Sequence, residues 1–243
     1  MEMLKTNNFV AVKRPKNLSS QVAEQLMDSI NKGVFTSGDY LPSENKLVEI
    51  FKVSRGVIRE ALLMLSAKGI IEIQKGRGAQ ILHPSIDPML DSFALLVNHK
   101  CGDFGLKYAQ EARVLVEPQI AAVAAKFRKD EDLDKLQQCL VNMDKYKEDK
   151  KLLSFYDIEF HKQIASSCGN PIFSITLEPI FHFLQVYHQE IFIGVDSKTL
   201  ENSLMDHENI FKAIKERNSN TAFNTMKQHF TIANNAMEKL LPY

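Results

Sequence analysis

An aspartate and three histidines interrupt apolar helical stripes in the C-terminal two thirds of the chain. They are Asp157, His161, His207 and His229. Asp157 and His161 lie four residues apart, which places them on one face of a helix, and each of the other two lies at an inward position on a helix of its own. Carboxylate and imidazole groups are common ligands of divalent metals. Together the four side chains predict a metal site inside a helical bundle.

A purely structural role for these residues is the alternative. A single inward histidine is more often a hydrogen-bonded core residue, and the spacing of Asp157 and His161 also lets them bond to each other. An unpaired buried carboxylate costs several kcal/mol, so Asp157 needs a partner in either case. The inward placement of all four residues favours the metal site.

Arg113 is a further inward polar residue. It shares one face of the segment 103–127 with alanine, valine and isoleucine side chains, and a guanidinium group on such a face must meet an anion. A bound anionic ligand would satisfy this need. The alternative is a protein carboxylate, such as Glu117 or Glu111.

Helices are the elements that would position these side chains. From about residue 88 onward the sequence shows only helical periodicity. The predicted helices cover roughly 88–99, 103–127, 131–147, 150–168, 171–193, 197–217 and 219–241. This pattern predicts an all-α bundle of six or seven helices.

The N-terminal part of the chain has a different pattern. A helix is predicted over 18–31, and Ser43 and Ser54 are suitable N-caps for two short helices. Gly69 occupies the C′ position after the second short helix, and residues 71–82 alternate as a hairpin around a glycine-rich turn. This order of elements predicts a winged helix-turn-helix. The fold class is therefore mainly α, with a DNA-binding unit ahead of the bundle.

The start of the second short helix and the tip of the hairpin carry the residues that would bind DNA. Arginines in the first turn of a recognition helix read base edges, and glycines let a basic tip approach another backbone closely. The residues predicted from this pattern are Ser54, Arg55, Gly56, Arg59, Lys75, Arg77 and Gly78. The alternative is a solvated basic face on an ordinary small α/β subdomain.

The charge distribution also divides the chain. Residues 1–84 hold 12 lysines and arginines against 8 acidic residues, a net charge of +4, and residues 85–243 hold 18 against 22, a net charge of −4. A basic N-terminal domain suits contact with a polyanion. Helix breakers at 83–88 place the boundary between domains 1–84 and 85–243, and a short basic arm is expected ahead of the first helix.

Cysteine usage and hydropathy indicate the compartment. Three widely spaced cysteines without a CxxC pair favour reduced thiols over disulfides. No apolar run approaches the roughly 20 residues that span a bilayer, and the N-terminus lacks the apolar core of a signal peptide. We expect a cytoplasmic protein with no membrane partner.

Both parts of the chain resemble a known family. The segments LPSEN, VSRGVIREAL, KGIIE and GRGA, in that order, resemble the winged-helix domain of GntR-type bacterial transcription regulators. The segments EARVLVEPQIAAVAA, DIEFHKQIASSCGNP, HENIFKAI and MKQHF resemble the FCD-type effector domain of the metal-containing members of the FadR subfamily. The resemblance covers about residues 10 to 240.

The resemblance implies roles for individual residues. In metal-containing members, the residues matching Asp157, His161, His207 and His229 bind a divalent metal, and the arginine matching Arg113 binds the carboxylate of the effector. Zinc is the expected metal, with nickel and manganese as alternatives. A divalent cation with one aspartate leaves about one positive charge and the arginine adds another, so such a pocket would select small anions.

One departure from the family concerns DNA reading. Family members usually carry an arginine directly after the glutamate of LPSE, where this chain has Asn45. Ser43 and Asn45 join the expected DNA-binding residues on this basis, but any contact from Asn45 is shorter and uncharged. The preferred operator sequence is therefore expected to differ from the family's usual one.

These features predict a ligand-responsive transcription regulator, a repressor released by a small carboxylate metabolite, and not an enzyme. A homodimer would place two recognition helices in successive major grooves of a pseudo-palindromic double-stranded operator. One alternative is a metal-dependent hydrolase or lyase that uses the three histidines and the aspartate, which would also need a general base near the metal. Another is an architectural DNA-binding protein with a structural metal.

Overall fold

The structure is a computed structural model that describes residues 17–193 and 197–240, with side chains described over 17–185 and 197–231. The basic arm expected ahead of the first helix lies outside the described residues. The chain divides into two compact units, Met1–Pro88 and Met89–Tyr243. Within the described part of the chain, every helix is too short or too polar to cross a membrane.

The described part of the first unit consists of three helices and a two-stranded sheet. These elements are α1 (Leu18–Asn31), α2 (Glu44–Phe51), α3 (Arg55–Ala67), β1 (Ile71–Gln74) and β2 (Gly78–Ile81). The Ser43 hydroxyl accepts a hydrogen bond from the Lys46 N–H, and the Ser54 hydroxyl accepts one from the Val57 N–H. Both serines are therefore the N-caps that the sequence predicts. Lys52, in the left-handed conformation at φ +53°, ends α2 and turns the chain toward α3.

The hairpin packs one face against the helices. β1 and β2 are antiparallel, with Ile71 opposite Ile81 and Gln74 opposite Gly78. Ile71, Ala79 and Ile81 are buried in a core shared with apolar side chains of α1, α2 and α3. The order of elements confirms the predicted winged helix-turn-helix, in which the hairpin is the wing.

The second unit is helical throughout its described residues. Its helices are α4 (Asp87–Cys101, which begins two residues before the unit boundary), α5 (Gly105–Phe127), α6 (Asp130–Lys145), α7 (Lys150–Ser166), α8 (Pro171–Ile193), α9 (Ser197–Lys215) and α10 (Ser219–Leu240). A 3-10 turn over Gly102–Phe104 joins α4 to α5. The predicted all-α bundle is confirmed.

Four helices of this bundle surround the candidate site. α5 packs against α7, α9 and α10, and α9 packs against α10. Ala121 and Ala124 of α5 and Ala222 of α10 are fully buried in the core of the bundle.

Candidate metal centre and DNA-binding surface

The four predicted metal ligands converge inside the bundle. Asp157 and His161 lie on α7, His207 on α9 and His229 on α10. One ligand atom from each side chain lies within 4.8 Å of the ligand atoms of the other three. All four residues are buried, with exposed fractions of 5% or less. Residues up to 72 positions apart in the sequence are thus brought into one cluster.

Hydrogen bonds orient two of the histidine rings. The Nδ1 of His161 lies 2.5 Å from Oε2 of Glu117, and the Nδ1 of His207 lies 2.8 Å from the backbone oxygen of Ser203. A carboxylate and a carbonyl can only accept, so both rings carry their proton on Nδ1. The Nε2 atoms are then left with lone pairs. His207 Nε2 lies 3.1 Å from Oδ1 of Asp157, a contact that is not aligned as a hydrogen bond.

Buried nitrogen atoms in the cluster lack hydrogen-bond partners. They are Nε2 of His161, Nε2 of His207 and Nδ1 of His229, all without a partner among the described protein atoms. Buried polar atoms are almost always paired, so several such atoms around one point indicate a ligand. One carboxylate and three imidazoles make a donor set that suits a divalent transition metal. The cluster therefore fits the metal that the sequence predicts.

Burial keeps His161 and His229 in the neutral form that binds metal. It lowers the pKa of His161 below its usual value, although the Glu117 carboxylate acts in the opposite direction. Burial and the positive charges that His207 and His161 would carry hold the pKa of His229 well below its usual value. Neutral imidazole is the form of histidine that binds a metal, so these two side chains fit the role of ligands at neutral pH.

Glu117 is the protein partner of Arg113. Its Oε1 accepts a hydrogen bond from Arg113 Nε at 2.5 Å, and both residues are buried on α5. Burial would raise the pKa of Glu117, but the charges of Arg113 and His161 outweigh it and the pKa is lowered. Of the two carboxylates that the sequence offers, Glu111 is exposed. Glu117 was expected only as a partner of Arg113, and its contact with His161 was not.

One edge of the Arg113 guanidinium, which carries Nη2, makes no hydrogen bond to the described protein atoms, and we call it the free edge. Nη1 donates to Oε1 of Gln110 at 3.3 Å, and the group lies 5.5 Å from the ring centre of Phe181 and 5.0 Å from that of Phe230. Nη2 is buried without a hydrogen-bond partner among the described protein atoms. A buried donor of this kind calls for an anionic acceptor. With Glu117 bound at Nε, Arg113 still has one unpaired donor, Nη2, that a second anion could accept from.

The predicted DNA-binding residues of the first unit are all exposed. Around the two short helices they are Ser43, Asn45, Ser54, Arg55, Gly56 and Arg59, and at the wing tip they are Lys75, Arg77 and Gly78. Gly76 and Gly78 have φ angles of +80° and +103°, a conformation that favours glycine and makes the tip tight. Exposure leaves these side chains accessible to a polyanion.

Each of the two arginines of α3 has a neighbour on α2. The Asn45 side-chain oxygen accepts a hydrogen bond from Nη2 of Arg55, and Arg59 Nε lies 3.7 Å from Oε1 of Glu44. The asparagine that replaces the family's usual arginine is thus a partner of a predicted base-reading side chain. The sequence offered no signal for this contact, because the two residues lie on different helices.

Two family profiles match the chain. The profile described as "Bacterial regulatory proteins, gntR family" matches residues 18–81, and the FCD domain profile matches residues 109–231. The first match covers α1 to β2, and the second covers the helices that carry Arg113 and the metal cluster. Together the two matches account for most of the described chain.

Known proteins are similar to this chain over most of its length. The HTH-type transcriptional repressor NanR of Klebsiella aerogenes is 30% identical over 223 residues, covering 88% of this chain and 83% of the relative. The Exu regulon transcriptional regulator of Escherichia coli K12 is 29% identical over 231 residues, covering 90% and 83%. The solved structure of Streptococcus agalactiae GntR superposes with a TM-score of 0.73 at 28% identity, covering 89% of this chain and 99% of that one. These relatives are regulators, and the hydrolase or lyase alternative receives no support. The chain belongs to the gntR family of bacterial regulatory proteins, as a DNA-binding transcription regulator with an FCD domain.

Proposed function

We propose that this regulator is a repressor whose hold on its operator is weakened when a small carboxylate binds in the second unit. The observation that carries the proposal is the buried cluster of Asp157, His161, His207 and His229 in the same helical unit as the free edge of Arg113. Similarity to proteins named as repressors supports the direction of regulation. The metal cluster and the free guanidinium edge support a carboxylate as the ligand.

Asp157, His161, His207 and His229 would hold the metal, and Arg113 the effector. A divalent cation bound there supplies positive charge and open coordination positions for an oxygen ligand. Zinc is our first choice, because three imidazoles and a carboxylate match its preferred donors, and nickel and manganese are the alternatives. Phe181 and Phe230 would exclude water from the bound carboxylate.

The first unit would bind the operator through its exposed arginines and its wing. Arg55 and Arg59 would contact bases or phosphates in the major groove, and Lys75 and Arg77 would bring the wing tip to the minor groove. The Ser43 and Ser54 hydroxyls use their oxygens in the caps and would donate their protons to phosphate. Asn45, Gly56 and Gly78 would complete the contact surface. DNA binding would place the protein in the bacterial cytoplasm.

A homodimer on a pseudo-palindromic operator completes the proposal. Large apolar side chains are exposed on α4, on the 3-10 turn before α5 and on α5, among them Leu95, Phe104, Tyr108 and Leu115. Phe104, Tyr108 and Leu115 are spaced at i, i+4 and i+11, which places them on one face of α5 and of the turn before it. An exposed apolar face of this kind supports self-association.

The test joins DNA binding to ligand response. DNA selected from a random double-stranded pool by the wild-type protein is titrated with wild type, Arg59→Ala, Arg113→Ala and the control Lys68→Ala, which removes an exposed charge from the far end of α3. Arg59→Ala should bind at least tenfold more weakly, since a lost base contact costs about 1–3 kcal/mol. Lys68→Ala should bind like wild type. Wild-type binding by Arg59→Ala would contradict the assignment of the DNA-binding surface.

The same DNA then tests the ligand site. Addition of a panel of small monocarboxylates and dicarboxylates to the zinc-loaded protein should release DNA from the wild type for at least one compound. Arg113→Ala should keep its zinc, because it is not a ligand, but should not respond. Release of DNA from Arg113→Ala at the wild-type carboxylate concentration would contradict the proposed pocket.

A further inference from the structure

One buried carboxylate joins the metal cluster to the effector arginine. Glu117 Oε2 lies 2.5 Å from His161 Nδ1, and Glu117 Oε1 lies 2.5 Å from Arg113 Nε. The three residues are each 2% exposed or less. Glu117 stands 44 residues from His161 in the sequence and bridges α5 to α7.

We propose that Glu117 is a positioning residue that couples metal binding at His161 to carboxylate binding at Arg113. The inference rests on the proposed function, which makes His161 a metal ligand and Arg113 the effector arginine. It assigns to one carboxylate the link between the two sites. Glu117 itself touches neither the metal nor the effector in this arrangement.

On the histidine side, Glu117 selects the tautomer. An ionised carboxylate can only accept hydrogen bonds, so it holds the imidazole proton on Nδ1. Nε2 then keeps its lone pair and turns toward Asp157, His207 and His229. A carboxylate in this position also makes the imidazole a stronger ligand, and loss of such a partner typically weakens metal binding 10–100-fold.

On the arginine side, Glu117 fixes the direction of the free edge. Its bond to Nε and the bond from Nη1 to Gln110 hold the planar guanidinium at two points. A planar group held at two points has a fixed third direction, which here leaves Nη2 without a protein partner. An incoming carboxylate therefore meets a donor that is already oriented.

The Glu117 carboxylate would link metal binding at His161 to effector binding at Arg113. A carboxylate bound to Arg113 would draw positive charge away from Glu117, which then becomes the stronger acceptor for the His161 proton. A better-oriented and more basic imidazole binds the metal more tightly. Because coupling between binding sites is reciprocal, a bound metal would favour the carboxylate to the same degree.

The experiment measures zinc affinity and the His161 tautomer in the full chain, without DNA or effector. Zinc affinity is measured by competition with a chromogenic chelator, and the tautomer by long-range proton–nitrogen NMR of metal-free protein, with His161 assigned from a His161→Asn sample. The variants are Glu117→Gln, Glu117→Asp and the control Glu111→Gln, which makes the same chemical change on the exposed side of α5.

Glu117→Gln should weaken zinc binding 10–100-fold. Its amide oxygen can serve only one of the two donors, and an amide N–H facing His161 moves the imidazole proton to Nε2. Glu117→Asp keeps an acceptor-only group, so it should retain the Nδ1–H tautomer and lose less affinity than Glu117→Gln. Glu111→Gln should match wild type. Equal losses in both Glu117 variants with the tautomer unchanged would reduce Glu117 to a packing role and overturn the proposal.

A double-mutant cycle tests the coupling itself. Arg113→Gln should change zinc affinity at least threefold when Glu117 is present and should have no effect in the Glu117→Gln background. Additive changes would overturn the coupling. If the variants do not fold, the wild-type protein alone still tests the proposal. An Nε2–H tautomer of His161 in the metal-free wild type would contradict it. None of these readouts involves DNA, so loss of operator binding and loss of this coupling remain distinguishable.

Discussion

Glu117 changes the charge expected for the proposed effector pocket. From the sequence, a divalent cation, Asp157 and Arg113 leave about two net positive charges. The structure adds the buried Glu117 carboxylate, whose pKa is lowered and which is therefore ionised, so about one positive charge remains. A single carboxylate group on the effector would neutralise this charge. We therefore expect an effector with one anionic group to bind better than an effector with two.

The contact between Asn45 and Arg55 makes a prediction about operator specificity. Asn45→Arg adds a cation near DNA, but it also removes the oxygen that holds Arg55. We expect tighter binding to random DNA and a salt slope about one unit steeper, together with weaker discrimination between selected and random sequences. Fluorescence anisotropy titrations at several salt concentrations measure both quantities.

Asn45→Ala is the matched control for this change. It removes the hydrogen bond to Arg55 without adding charge, so it should lose discrimination while keeping the wild-type salt slope. If Asn45→Arg gains affinity for selected and random DNA with discrimination intact, Asn45 does not position Arg55.

At the level of elements, the junction between α3 and the wing depends on a glycine. Gly69 follows α3 with a φ of +68°, and a Cβ added there would lie 2.6 Å from Cγ of Pro88. Gly33 after α1 has a similar φ of +72° but nothing within 4 Å of an added Cβ. The two positions share the same backbone strain and differ in the space around them.

Gly69→Ala should destabilise the first unit more than Gly33→Ala. The left-handed conformation costs a residue with a side chain about 1–2 kcal/mol at either position. At Gly69 the clash with Pro88 should add about 1–3 kcal/mol, because a packed site resists an added methyl group. Calorimetric melting of both variants measures the difference. Equal melting temperatures would show that the Pro88 contact relaxes at no cost.

At the level of the whole molecule, we expect the buried His161 and His229 to make stability depend on pH and on bound metal. Their lowered pKa values mean that, below about the usual 6.5, the unfolded chain binds protons that the folded metal-free chain does not. The lowered pKa of Glu117 acts in the same direction, since its contribution is present above about 4.5 and lost as the pH falls further. Acid should therefore destabilise the second unit.

We predict that the chelator-treated protein melts at a lower temperature at pH 5 than at pH 7. Zinc should restore stability at pH 7, by about 2.7 kcal/mol at a hundredfold excess over its dissociation constant, and should do less at pH 5 because protons compete for the imidazoles. His229→Gln should flatten the pH dependence, since it removes the histidine with the most strongly lowered pKa. A melting temperature that is independent of both pH and zinc would contradict the buried metal site.

The exposed apolar face on α5 predicts how the molecule assembles. Leu115→Glu places a charge among side chains that a second copy would cover, so it should convert a dimer to a monomer in light-scattering measurements. Val141→Glu is the control, because Val141 is an exposed apolar residue on α6. Dissociation by the control, or a Leu115→Glu dimer, would place the interface elsewhere.

The sequence by itself determined the local structure and the residue types of the site. N-caps at Ser43 and Ser54 and the glycine at 69 mark where elements begin and end, because they satisfy the backbone groups and φ angles that helix ends require. Helical periodicity also identified the inward faces that carry Arg113 and the four metal-binding candidates. These signals are local, since they depend on side chains within a few turns of one another.

Only the tertiary structure decided which of these groups meet. Periodicity gives the face of a helix, but the rotation and height of each helix in the bundle follow from the packing of the whole core. The convergence of the four candidates within 4.8 Å, the bridge from Glu117 to His161 and the bond from Asn45 to Arg55 all join different helices. Contacts between distant segments depend on how whole helices are placed, to within about an ångström. The spacing of residues along one helix does not predict this placement.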